Sequence, residues 1–138
     1  MAVRVLIADS SKDARDIIRQ HFECGGCQIV AETETAAQAI DLFRTTRPQV
    51  VTLDIGLKSA DGRGALSVFR TIRRESPETS IVMVNAAHRP DDTRVFVREG
   101  ALDCVVASFN NFTMEAMWTR LSEIYPELKP TREPRSGR

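Results

Sequence analysis

Five short apolar runs set the architecture of this chain, at residues 3–8, 27–31, 49–53, 80–84 and 103–106. Each is rich in β-branched residues and nearly continuous instead of alternating, the pattern of strands covered on both faces. The stretches between them carry apolar residues at helical spacing. Residues 11–23 place Ala14, Ile17, Ile18 and Phe22 on one stripe, with Ser11 or Ser10 as the cap. Residues 35–45 repeat the pattern with Ala36, Ala39, Ile40 and Phe43, and residues 64–75 with Ala65, Val68, Phe69 and Ile72. Residues 91–99 follow Pro90 and stop at Gly100; residues 112–125 carry Met114, Met117, Trp118 and Leu121 ahead of Pro126. A β-α unit repeated five times, with right-handed crossovers, predicts an α/β fold: a doubly wound, five-stranded parallel sheet with helices on both faces.

The 138 residues suit one domain over 1–126, followed by a disordered tail or linker stub at 127–138. Lys+Arg and Asp+Glu both number 19, so the chain lacks the cationic excess that non-specific nucleic-acid binding requires. No apolar run approaches the roughly 20 residues of a membrane span. Met1-Ala2-Val3-Arg4 leads straight into a strand pattern, unlike a signal peptide. Three cysteines make an odd number, which argues against a disulfide framework. The expected location is a reducing cytoplasm.

In open parallel sheets, ligands bind at the carboxyl ends of the strands. There the first strand ends in Asp9, the third in Asp54, the fourth in Asn85, and the fifth at Val106-Ala107. Two carboxylates with a backbone carbonyl from the Asp54 loop can hold a hard octahedral cation such as Mg²⁺.

At this point the chain resembles the receiver domain of two-component response regulators. The resemblance rests on Val5-Leu6-Ile7-Ala8-Asp9, Val51-Thr52-Leu53-Asp54-Ile55 with Asp61-Gly62, Ile81-Val82-Met83-Val84, and Glu99-Gly100-Ala101, and it covers roughly residues 3–125. It implies a flavodoxin-like (βα)5 fold with strand order 2-1-3-4-5. It also implies that Asp54 is the phosphoacceptor, attacking a phosphoryl group from a histidine kinase with help from Mg²⁺ and a lysine. Asp9 matches the first of two adjacent metal-binding acids, and Gly56 the residue whose backbone carbonyl binds the metal.

Four positions depart from the family pattern. The second acid is Ser10, a neutral and poorer Mg²⁺ ligand. The hydroxyl residue that contacts the phosphoryl group is Asn85, whose amide still donates a hydrogen bond. The Lys-Pro pair is Ala107-Ser108, and the aromatic switch position is Cys104. The site therefore sets two acids against no lysine; Lys58 and Arg89 are the candidate substitute cations, against their simpler reading as solvated loop charges.

Three readings follow. The first is an atypical receiver, a cytoplasmic signalling module and not an enzyme, that works through protein–protein contact with impaired or absent phosphorylation switching. The second is a functional receiver phosphorylated on Asp54 with Mg²⁺. Both imply a histidine kinase or another signalling protein as partner, and the family's surface of fourth helix, fifth strand and fifth helix adds a second copy of the chain as a candidate; Phe96, Trp118 and Tyr125 are its candidate contacts. The third is a flavodoxin-like nucleotide or flavin binder, which needs a phosphate loop after the first strand. Asp9-Ser10-Ser11-Lys12-Asp13 offers hydroxyls but no glycine, and its acids repel phosphate. Cys24-Gly25-Gly26-Cys27 with His21 upstream resembles a metal or redox motif, but it follows a helix where a redox pair should open one. The two glycines are readily a turn, and Arg70, Arg73 and Arg74 read as a solvated helix face.

Overall fold

The computed structural model describes residues 2–60, 64–85, 90–106 and 111–128. The expectations placed on Asp61-Gly62, Arg89, Ala107-Ser108 and residues 129–138 lie outside these residues.

The elements run β1 (Val3–Ala8), α1 (Lys12–Cys24), β2 (Cys27–Thr33), α2 (Ala36–Thr46), β3 (Val50–Asp54), α3 (Gly64–Glu75), β4 (Ser80–Asn85), α4 (Pro90–Arg98), β5 (Asp103–Val106) and α5 (Asn111–Ile124). All strands are parallel, in the order β2-β1-β3-β4-β5. Three strands reach further than their apolar runs. Glu32 and Thr33 pair with Ile7 and Ala8, Asp54 with Val84, and Asn85 with Val106. Backbone pairing thus carries polar residues to the sheet's carboxyl edge, where hydropathy gives no sign of a strand.

Side chains alternate between two cores even where every residue is apolar. Val3, Val5 and Ile7 join α1 and α5 residues such as Phe22, Met117, Trp118 and Leu121. Leu6 and Ala8 face the other way, toward Phe43, Phe69 and Phe96. The expectation of strands covered on both faces fails for β2, which stands at the sheet edge and is half-exposed over most of its length. The packed chain also continues past the expected boundary at 126. Leu128 is buried in the first core, and its N–H donates to the Tyr125 carbonyl at 2.9 Å.

Local chemistry fixes the helix ends. The Ser11 hydroxyl accepts from the Ala14 N–H at 3.2 Å, and the Thr35 hydroxyl from the Gln38 N–H at 3.4 Å. Gly25 and Gly26 turn out of α1 for different reasons. A Cβ on Gly25 would stand 2.5 Å from the Trp118 ring, whereas Gly26 adopts φ +98°. Arg47 ends α2 in the left-handed region at φ 49°. Its carbonyl accepts from Arg4 Nη1, a bond that needs no Arg47 side chain. Arg47→Gly is therefore expected to raise stability by about 0.5–1 kcal/mol, readable as a shift of the urea midpoint at unchanged slope.

Candidate functional site

Asp54 closes β3 and is 5% exposed. The Ile55 N–H continues the ladder onto the Val84 carbonyl at 3.0 Å, so the acceptor strand is held to its last residue. Both carboxylate oxygens of Asp54 are occupied. Oδ1 accepts from the Gly56 N–H at 2.8 Å. Oδ2 accepts from the Ser10 hydroxyl at 2.8 Å and the Ser10 N–H at 3.2 Å. Gly56 is exposed, and a Cβ there would sit 3.5 Å from Asp54 Oδ1. Glycine thus leaves one side of the carboxylate open.

Asp9 is buried beside Asp54. Its N–H donates to the Thr33 carbonyl at 2.9 Å, and its Oδ1 accepts from the Ser11 N–H at 2.8 Å. Burial pushes the Asp9 carboxyl up to about 6, against the Ser11 N–H, and the neighbouring Asp54 charge adds to the rise. The two expected acids do converge.

Among the described residues, the cation beside Asp9 is Arg15, which the sequence did not single out. Arg15, on the first turns of α1, donates from Nη1 to the Asp9 carbonyl at 2.6 Å and lies 3.8 Å from Glu32. Its side chain is 16% exposed, and its charge holds the Asp9 carboxyl down against the larger effect of burial. Lys58 is exposed; its backbone pairs with Thr35, and its carbonyl accepts from the Ala36 N–H at 2.9 Å. The sequence signal for Arg15 is its place one helical turn past the Ser11 cap, six residues from Asp9.

Asn85 ends β4 and is buried, one register step beyond the partner of Asp54. Cys104 is half-buried on β5, its thiol pushed up to about 11 by burial and then by Asp103. Among the described residues no group of three or more His, Cys, Asp or Glu is placed to hold a metal ion. Cys24 is exposed, but Cys27 is buried in the first core with its thiol pushed up to about 12, far from the thiolate that redox or zinc chemistry needs. Phe96 and Trp118 are not surface contacts, since each is 4% exposed. Phe96 packs edge-on against Phe69, and Trp118 packs tilted against Phe22. Tyr125 is half-buried and donates to the Gln49 carbonyl at 3.1 Å. Arg70 is paired bidentately with Glu99 at 3.0 and 2.7 Å, tying α3 to the end of α4.

Among the described residues no helix is long and apolar enough to cross a membrane. Residues 5–118 match the response regulator receiver domain family. Chemotaxis protein CheY of Bacillus subtilis (strain 168) is 31% identical over 109 residues, which cover 79% of this chain and 88% of that protein. Protein-glutamate methylesterase/protein-glutamine glutaminase of Halobacterium salinarum (strain ATCC 29341 / DSM 671 / R1) is 34% identical over 100 residues, but the match spans only 28% of that longer protein. Among solved structures, the REC domain of AraT, a response regulator from Geobacillus stearothermophilus, superposes with a TM-score of 0.77 at 19% identity, covering 92% of this chain and 98% of that one. A CheX-CheY-BeF3-Mg²⁺ complex from Borrelia burgdorferi gives 0.70 at 21% identity, covering 88% of each chain.

Proposed function

Because the chain belongs to the response regulator receiver domain family of two-component signalling, we propose that it is an atypical receiver whose output runs through protein–protein contact, with phosphorylation switching at Asp54 impaired. The observation that carries this reading is the composition of the acidic cluster. It holds two carboxylates, Asp9 and Asp54, and the third side chain is the neutral Ser10. Burial favours the protonated form of Asp9, so the cluster offers a divalent cation less negative charge than three ionised acids would.

Asp9, Asp54 and the Gly56 carbonyl are the groups that would hold Mg²⁺. When bound, Mg²⁺ supplies charge neutralisation for a phosphoryl group's oxygens. The donor set fits a weakly held ion. Arg15 supplies positive charge in its place, but its guanidinium is engaged by the Asp9 carbonyl and Glu32. Asn85 at the end of β4 would donate to a phosphoryl oxygen through its amide. Cys104 brings no ring to couple such a contact to the far surface. The partner is a histidine kinase or another signalling protein that reads the receiver surface.

The second reading, a working phosphoacceptor, is favoured by the Asp54 carboxylate itself, which sits at a strand end with backbone N–H donors from Ser10 and Gly56 beside it. Beryllofluoride, which stands in for a phosphoryl group on a carboxylate, separates the two. With millimolar Mg²⁺ the backbone amide spectrum of the full chain is expected not to shift saturably. Saturable shifts at Asp54 and Asn85 that vanish in Asp54→Ala would establish the working acceptor instead.

A further inference from the structure

We propose that the Ser10 hydroxyl is a lock on Asp54, a positioning group that holds the acceptor carboxylate closed, and not a weak metal ligand. This deepens, and rests on, the reading of impaired switching. The Ser10 hydroxyl has a single proton, and it is given to Asp54 Oδ2 at 2.8 Å. The Ser10 N–H adds a second donor to the same oxygen at 3.2 Å, while Gly56 holds Oδ1. An oxygen whose lone pairs face two donors is a poorer nucleophile and a poorer ligand than a free one.

The lock has a rigid mount. Just before Ser10, the Asp9 N–H is bonded to Thr33 and the Asp9 carbonyl to Arg15. Just after it, the Ser11 N–H is bonded to Asp9 Oδ1 and the Ser11 hydroxyl caps α1. The Asp9-Ser10-Ser11 turn is therefore fixed on both sides of the hydroxyl, and Asp54 is itself buried. An electrophile that bonds Oδ2 must first displace the Ser10 hydrogen bond at a carboxylate that is largely shielded from solvent.

A ligand role and a lock role predict opposite signs. If Ser10 were a ligand, removing its hydroxyl would weaken Mg²⁺-dependent binding at Asp54. If it is a lock, removal strengthens it. Beryllofluoride is titrated at fixed millimolar Mg²⁺ against the wild type, Ser10→Ala, Ser10→Gly and Ser10→Thr, read by amide shifts at Asp54 and Gly56. The two hydroxyl-free variants are expected to bind at concentrations roughly tenfold or more below any that affects the wild type. Ser10→Thr, which keeps the hydroxyl, is expected to behave as the wild type. Without metal, the Asp54 carboxyl-carbon resonance is expected to move in the Ala and Gly variants and to stay in place in Thr. Binding by Ala and Gly that is equal to or weaker than wild type overturns the lock, whatever the wild type does. Strong binding by the wild type overturns impaired switching, and the comparison of variants with wild type still decides the lock.

Discussion

Metal-free Asp9→Asn is expected to gain stability relative to the wild type as the pH rises from about 4 to about 6, because the Asp9 contribution to wild-type stability is lost over that range. The Asp9 carboxyl is raised to about 6 in the folded protein, first by burial and then by the neighbouring Asp54. In the unfolded chain it releases its proton near the ordinary 3.8. Between these values the unfolded state binds fewer protons, so rising pH favours unfolding. Full stability from this group is present below its unfolded value and is lost as pH climbs through its folded one. The unscreened limit is ~3 kcal/mol, and solvent screening brings it to about 1–2 kcal/mol. Asparagine keeps an oxygen to accept from the Ser11 N–H and adds an amide donor beside Asp54, without the charge. The variant should match the wild type near pH 4 and exceed it by about 1–2 kcal/mol near pH 7. Urea denaturation of both proteins at both pH values measures the difference, and a difference that does not change with pH would contradict it.

Trp118→Ala is expected to cost about 3–5 kcal/mol. Trp118 is 4% exposed, and its ring centroid lies 4.9 Å from that of Phe22. It also covers Gly25, where even a methyl group would stand 2.5 Å from the ring. The indole is thus fitted to the turn between α1 and β2, and truncation leaves a cavity that the backbone cannot close. Circular dichroism across a urea titration reads the loss. A change below about 1 kcal/mol would mean that the first core collapses around the gap.

The fold was legible because hydrophobic patterning is a local signal. The β-branched runs and the helical spacing of Ala65, Val68, Phe69 and Ile72 put the elements within a few residues of their final bounds. Asp9 and Asp54 could be placed together because strand ends of a parallel sheet share an edge. The Ser10–Asp54 bond could not be read, since it joins residues 44 apart through a side-chain rotamer. Arg15 was hidden for a related reason: a helix pattern shows which stripe is apolar, not which charged residue folds back over a strand end. Phe96 and Trp118 were misplaced at a surface because an aromatic residue on a helix carries no mark of whether another element covers it. Their burial depends on Phe69 and Phe22, distant in sequence.

The short segment after Asp54 has one further consequence. Gly56 is bonded to the carboxylate, Leu57 closes a turn onto the Asp54 carbonyl, and Lys58 is stitched to the start of α2. Within four residues the chain passes from the acidic site to the sheet edge with each of these steps tied down. Ordering a residue costs about 1–2 kcal/mol of backbone entropy, and here that cost falls on folding and not on binding. Whatever meets Asp54 encounters a preorganised floor, so its affinity is set by charge and hydrogen bonding at the carboxylate and owes nothing to induced ordering of these residues.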